Sequence, residues 1–185
     1  MTIVETEIPG YVVGTWTIDP VHSYAGFVVK HSMVSKVRGQ FESVNGQIVT
    51  VQNIVESRVN VTIDVASFHT NNEVRDEDIR SLRFMDAEHF PTMTFASTGI
   101  RLGDGFVIEG DLTIKGVAKA VVLQATVPQF GASADGGMSV GISAHTSIKR
   151  SEFGVDFNLA IPGGGWMVGE DIDVILEFEA NLKPV

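Results

Sequence analysis

Ile172-Asp173-Val174-Ile175-Leu176-Glu177-Phe178-Glu179-Ala180-Asn181-Leu182 is the stretch whose reading decides the fold class. Ile172, Val174, Leu176, Phe178, Ala180 and Leu182 fall on one face of an extended chain. Asp173, Glu177, Glu179 and Asn181 fall on the other, and Ile175 is the apolar intruder. Side chains of a strand point alternately to opposite faces, whereas 3.6 residues per helical turn would mix the two sets. This segment therefore reads as a strand with one face buried.

The same alternation recurs upstream. Val59, Val61, Ile63 and Val65 oppose Asn60, Thr62 and Asp64; Phe106, Ile108, Leu112 and Ile114 oppose Glu109, Asp111, Thr113 and Lys115. Val121, Leu123, Ala125 and Val127 oppose Gln124 and Thr126, while Ile142, Ala144 and Ile148 oppose Ser143, His145, Ser147 and Lys149. Phe27 and Val29 share a face with His31. Runs near 14–20, 23–31, 36–51, 58–66, 92–101, 106–116, 118–129, 139–150 and 171–183 give about eight or nine strands. Asn45-Gly46, Gly103-Asp104-Gly105 and Asp135-Gly136-Gly137 are turn signals, because these residues tolerate positive φ. Connections this short make antiparallel hairpins.

One segment departs from period two. Thr70 with Glu73 three residues on predicts a capping box, and Val74, Asp78, Ile79, Leu82 and Met85 follow at helical spacing until Pro91. Residues 71–90 are read as one or two short helices inserted into an all-β chain. No repeat, low-complexity tract or linker interrupts residues 1–185, so one domain is expected. A sheet of this size must bury its apolar face by closing into a barrel or pairing as a sandwich, and composition does not choose between them.

Composition narrows the function. Of 185 residues, 44% are hydrophobic, which leaves apolar side chains for a cavity wall as well as a core. Thirteen Lys plus Arg against 23 Asp plus Glu give a net charge of -10 with no basic run, which disfavours nucleic acid and anionic membrane surfaces. There is no cysteine, so disulfides, thiolate metal sites and cysteine nucleophiles are excluded. The start, Met1-Thr2-Ile3-Val4-Glu5-Thr6-Glu7, is acidic and short for a secretion signal, and no apolar run approaches the length of a membrane helix. The sequence thus reads as a cytoplasmic protein without membrane insertion.

An ordered series of motifs resembles a known family. Trp16-Thr17-Ile18-Asp19-Pro20-Val21-His22-Ser23, Phe27-Val28-Val29-Lys30-His31 and Val37-Arg38-Gly39-Gln40-Phe41 open it. Ser67-Phe68-His69-Thr70, Arg75-Asp76, Arg80-Ser81 and Phe90-Pro91-Thr92-Met93-Thr94-Phe95 continue it. Gly110-Asp111-Leu112-Thr113-Ile114-Lys115-Gly116-Val117 and Arg150-Ser151-Glu152-Phe153-Gly154 complete it. In this order they resemble the YceI-like family along nearly the whole chain. The resemblance implies an extended eight-stranded antiparallel, lipocalin-like β-barrel with an elongated internal pocket for a polyisoprenoid, an isoprenoid quinone or a related lipid. It also implies a homodimer in many members. Two positions depart from the family pattern: Asp78 stands where a histidine is usual, and Glu152 where an aspartate is usual. Neither change touches an apolar pocket.

The expected ligand-binding residues are the large side chains nearest these motifs, together with three polar ones. The apolar set is Phe27, Phe41, Phe68, Phe84, Met85, Phe90, Met93, Phe95, Phe153 and Trp166, with the adaptable methionines suited to a lipid-facing wall. His31 is placed inward beside Phe27 and Val29, where a polar group needs a partner. Arg75 or Arg80 at the pocket mouth would face a phosphate or carbonyl, although Asp76 and Arg80 also stand at ion-pair spacing on a helix. Arg150 is expected to bind a carboxylate such as Asp156 or Asp19 in a structural role.

No metal and no cofactor are expected. His22, His31, His69, His89 and His145 lack zinc-ligand spacing, and hydrogen-bonded structural roles suit them better. No Gly-x-Ser-x-Gly elbow occurs, and Gly163-Gly164-Gly165 is not followed by the Lys of a phosphate loop, so it reads as a loop placing Trp166 and Met167. The reading is a non-catalytic lipid carrier. Beside it stand an enzyme acting on a lipidic or quinone-like substrate through His31 and Arg80, and an interaction module whose barrel is completely filled.

Overall fold

A computed structural model describes residues 8–102 and 105–184. The acidic start and the Gly103-Asp104 part of one expected turn lie outside them. The described elements in chain order are β1 (Gly14–Ile18), β2 (Tyr24–His31), β3 (Ser35–Phe41), β4 (Val44–Thr50), β5 (Arg58–Asp64), β6 (Phe68–His69), α1 (Glu73–Arg80), β7 (Thr92–Leu102), β8 (Phe106–Ile114), β9 (Val117–Ala125), β10 (Gln129–Ala132), β11 (Met138–Lys149) and β12 (Val168–Leu182).

The registers assemble these pieces into a closed ring of eight antiparallel staves. β1 and β2 lie end to end along β12, with Trp16 opposite Leu182 and Tyr24 opposite Glu177. β4 and β3 run back along β1 and β2, and β5 and β6 follow them in turn. β7 and β8 are single staves. β9 and β10 share one stave against β11, and the long β11–β12 pairing closes the ring. Apart from β12 against β1 and β2, neighbours in space are neighbours in sequence, which is the up-and-down barrel topology; closure removes the two open edges that a sheet of this size would expose. Register shifts at Ser97/Gly99 in β7 and at Val168/Ile172 in β12 supply the local bends that closure requires.

Several sequence expectations need correction. The run 36–51 is two strands broken at Glu42–Ser43, and the run 118–129 breaks between β9 and β10. Asn45-Gly46 is not a turn: it lies inside β4, opposite Thr62 and Val61. Glycine is needed at 46 because a methyl there would collide with the Asn60 carbonyl and the Ile18 side chain. Asp135-Gly136-Gly137 does form the β10–β11 turn, with Gly136 at φ 87°. The helical insertion holds one helix of eight residues, followed by turns to Phe90. Its N-cap is Asn72, whose side chain accepts from the Arg75 amide, and not Thr70.

Most of the buried apolar residues line the cavity inside the ring, and others, Trp16 among them, pack in the core around it. Trp16 is 0% exposed, and its indole N–H donates to Thr50 Oγ1 at 2.8 Å; that hydroxyl donates in turn to the Val12 carbonyl at 2.7 Å. A buried indole thus keeps its hydrogen bond. Ile175, the intruder in the opening pattern, faces outward and is 39% exposed.

Candidate functional site: an apolar lumen

The ring encloses a cavity of about 280 Å³. Its wall follows strand parity. On β11, Val140, Ile142, Ala144, Thr146 and Ile148 line it; on β12, Ile172, Val174, Leu176 and Phe178 do. From Val140 to Arg150 the lining runs about 33 Å along the strand, or about 25 Å along the axis at the usual barrel tilt. That volume spread over that length makes a narrow tunnel, with room for one chain in cross-section. Thr50, Ser57, Thr94, Thr146 and the Tyr11 ring are among its few polar contributors, and Arg150 is the one charged residue among the described lining.

Eight of the apolar residues expected from sequence meet at this wall: Phe27, Phe41, Phe68, Phe84, Met85, Met93, Phe95 and Phe153. Phe27, Phe41 and Phe68 form an aromatic cluster, with Phe68 stacked on Phe27 at 5.3 Å and edge-on to Phe41 at 5.5 Å. They meet because β2, β3 and β6 are adjacent in the sheet. Phe84 and Met85 come from the turns after α1, so the insertion helps to close that end of the tunnel.

Five expected residues lie elsewhere. His31 is the last residue of β2 and is exposed, because the strand carries it past the end of the lumen. Trp166 is 56% exposed in the Gly163–Gly165 loop, whose three glycines all have positive φ. Phe90 packs outside, against Gly116 of the β8–β9 turn. Arg75 and Arg80 brace the insertion instead of facing the lumen. Arg75 donates from Nε to Thr70 Oγ1 at 2.7 Å and from Nη2 to the Thr70 carbonyl at 3.0 Å; Arg80 Nη2 donates to the Phe68 carbonyl at 2.8 Å.

At the centre of that brace is Asp76, not an Asp76–Arg80 ion pair. The Asp76 carboxylate is buried and accepts from both the Thr70 hydroxyl and the Thr70 amide, with His69 Nδ1 at 3.5 Å. Burial opposes its charge, yet the two Thr70 donors and the nearby His69 and Arg80 hold its pKa below the ordinary carboxylate value.

Arg150, expected to meet a carboxylate such as Asp156 or Asp19, has the Glu170 carboxylate 3.9 Å from Nε, and its hydrogen bonds go to backbone carbonyls. Nε donates to the Gly169 carbonyl at 3.0 Å, and Nη1 to those of Val155 at 2.6 Å and Phe157 at 3.0 Å. Its place in the lumen wall was missed. The signal was present: Arg150 continues the even-numbered face of Ile142, Ala144 and Ile148.

On the outer surface, Asp19, His22 and Glu179 bring one donor atom each within 4.8 Å of one another. None of the three lines the cavity. Asp19 is already bonded to His22 at 2.9 Å, which lowers the aspartate pKa and raises that of the histidine. Among the described residues, no helix is long and apolar enough to cross a membrane.

A closed antiparallel barrel around an apolar tunnel defines a lipocalin-like binding barrel. The YceI-like domain family matches residues 16–180, and this chain belongs to it. A UPF0312 protein of Staphylococcus aureus is 32% identical over 173 residues, which covers 91% of this chain and 95% of that one. The crystal structure of the Campylobacter jejuni YceI protein is 30% identical with a TM-score of 0.69, over 84% of this chain and 90% of that one. A polyisoprenoid binding domain from Saccharophagus degradans has a TM-score of 0.67 at 13% identity, over 93% of this chain and all of that one, which shows a shared fold.

Proposed function

We propose that this barrel binds and carries an elongated apolar lipid, a polyisoprenoid or isoprenoid quinone, and performs no chemistry on it. The observation that carries this reading is the narrow apolar lumen. A linear hydrocarbon placed there gains about 25 cal/mol for each Å² of apolar surface removed from water, so affinity needs few polar contacts. The wall of Phe27, Phe41, Phe68, Phe84, Met85, Met93, Phe95 and Phe153 would contact the chain. The Saccharophagus degradans domain of the same fold is a polyisoprenoid binding domain, which supports the same ligand class here. A homodimer, implied by the family resemblance, belongs to this reading.

Native mass spectrometry of gently purified protein, with lipid analysis of its organic extract, is the test. A discrete added mass matching a prenyl chain is expected. A clean apo mass, with no rise in melting temperature on adding prenyl compounds, would sink the proposal.

A further inference from the structure

Apolar side chains stand exposed where the β2–β3 turn meets the connection between β11 and β12. The turn is closed by the Val34 N–H, which donates to the His31 carbonyl at 3.2 Å. Its central residues, Ser32 and Met33, have φ of 49° and 64°. Such a turn favours Asn-Gly, and methionine is uncommon at positive φ. Met33 is nevertheless 60% exposed and Val34 88% exposed, so packing within the barrel explains neither. The β11–β12 connection lies against this turn. The Met167 carbonyl accepts from the Ser32 amide at 2.8 Å. A methyl on Gly165 would sit 3.0 Å from the Met33 side chain and 3.6 Å from that of Ile161. Leu159 and Trp166 of the same connection are exposed.

Charge is sorted around this tip. Residues 157–169 contain no Asp, Glu, Lys or Arg. Asn158 clamps the base of the loop: its side chain accepts from the Val168 amide at 2.9 Å and donates to the Val168 carbonyl at 2.7 Å. Asp156 and Glu170 come only outside that clamp in the chain. Residues 31–35 hold no carboxylate. Lys30 and Lys36 stand opposite each other at the foot of the turn, both exposed, and Arg38 follows on the same face of β3. On a chain of net charge -10, bases thus flank an apolar tip that carries no acid. The loop also reaches the lumen, because Val168 lines it and Phe157 packs edge-on against Phe84 of the wall at 5.1 Å.

We infer that this tip docks on the surface of an anionic lipid bilayer: Met33, Val34, Leu159, Ile161 and Trp166 enter the interfacial layer, and Lys30, Lys36 and Arg38 face the lipid phosphates. The amphipathic ring of tryptophan suits the membrane–water boundary. An uncharged loop enters that layer without stranding a charge in it. Each base held near an anionic surface adds an attraction that salt screens. A second copy of the chain fits this tip less well, because a twofold contact would set the same bases against one another. The docking stands on surface residues alone and does not depend on what the lumen holds.

The test is flotation of the full chain with vesicles of phosphatidylcholine alone and of phosphatidylcholine mixed with phosphatidylglycerol, read together with tryptophan emission. The chain has two tryptophans and Trp16 is buried, so a change in emission reports Trp166. Flotation with the anionic vesicles is expected, with emission moved to shorter wavelength and quenched by brominated acyl chains. Both effects should be lost at about 1 M salt, where charges are screened within about 3 Å. Lys30→Gln together with Lys36→Gln is expected to weaken partition about tenfold or more. Met33→Asn together with Val34→Ser suits the turn, and is expected to keep the melting temperature while reducing the floated fraction severalfold. Equal flotation with both vesicle types, or none with the anionic ones, overturns the docking. If nothing floats and Met33→Asn with Val34→Ser turns a dimer into a monomer, the tip is a contact between copies and the inference falls. Lipid held in the lumen is read separately by native mass spectrometry, so either reading can fail without the other.

Discussion

Asp76 shows how a single residue serves the fold of a binding protein. Its carboxylate is buried in the angle between α1 and β6, where it ties the Thr70 backbone and hydroxyl to the helix. Asp76→Asn removes the charge from these bonds, and hydrogen bonds to charged groups are worth about 1.5–3 kcal/mol, so a loss of that order is expected in urea unfolding at pH 7. The sign of its pH dependence follows from the lowered folded-state pKa. The Asp76 contribution is fully present above the ordinary carboxylate value of 3.8 and is lost as pH falls through the lower folded value. The gap between wild type and Asp76→Asn should therefore close below about pH 3.8; a gap that persists in acid would show that the charge is not its source.

At the scale of elements, glycine positions decide which strands can pass close to one another. Gly46 sits in β4 against the Asn60 carbonyl of β5 and the Ile18 side chain of β1. Gly46→Ala has no room for its methyl without a shift of backbone, and an overpacking cost of about 1–3 kcal/mol is expected, read as a lower denaturation midpoint at unchanged m-value. The Asn45-Gly46 pair reads as a turn from sequence because the same residue types serve turns and close strand contacts. Only the register Gly46 opposite Val61 separates the two uses. The Thr70 capping box fails for a comparable reason: the Thr70 hydroxyl is spent on Asp76, and Asn72 caps the helix. His31 is likewise placed on the right side of alternation but one step beyond the lumen, since alternation fixes a face and not a depth.

At the scale of the whole molecule, function follows from what closure encloses. Ala144 is buried on the lumen wall. Ala144→Phe is expected to fill part of the tunnel and reduce lipid retained through purification, measured as lipid per protein in the extract, while the far-ultraviolet circular dichroism of the barrel is kept. Saturating prenyl ligand at about a hundred times its Kd should stabilise the wild type by about 2.7 kcal/mol, read as a raised melting temperature, and should stabilise Ala144→Phe less at the same concentration. The sequence by itself determined the strands and their faces, including Ile172, Val174, Leu176 and Phe178 inward and Ile175 outward, and most of the aromatic and methionine wall. Those are properties of period two, written in each residue and its neighbours. The tertiary structure alone decided that the sheet closes, that its middle is open, and that Arg150 is among the residues lining that space while Arg75, Arg80 and Trp166 are not. Closure joins Trp16 to Leu182 across nearly the full chain, and the space inside depends on how side-chain volumes from all eight staves add, so neither is present in any local stretch of residues.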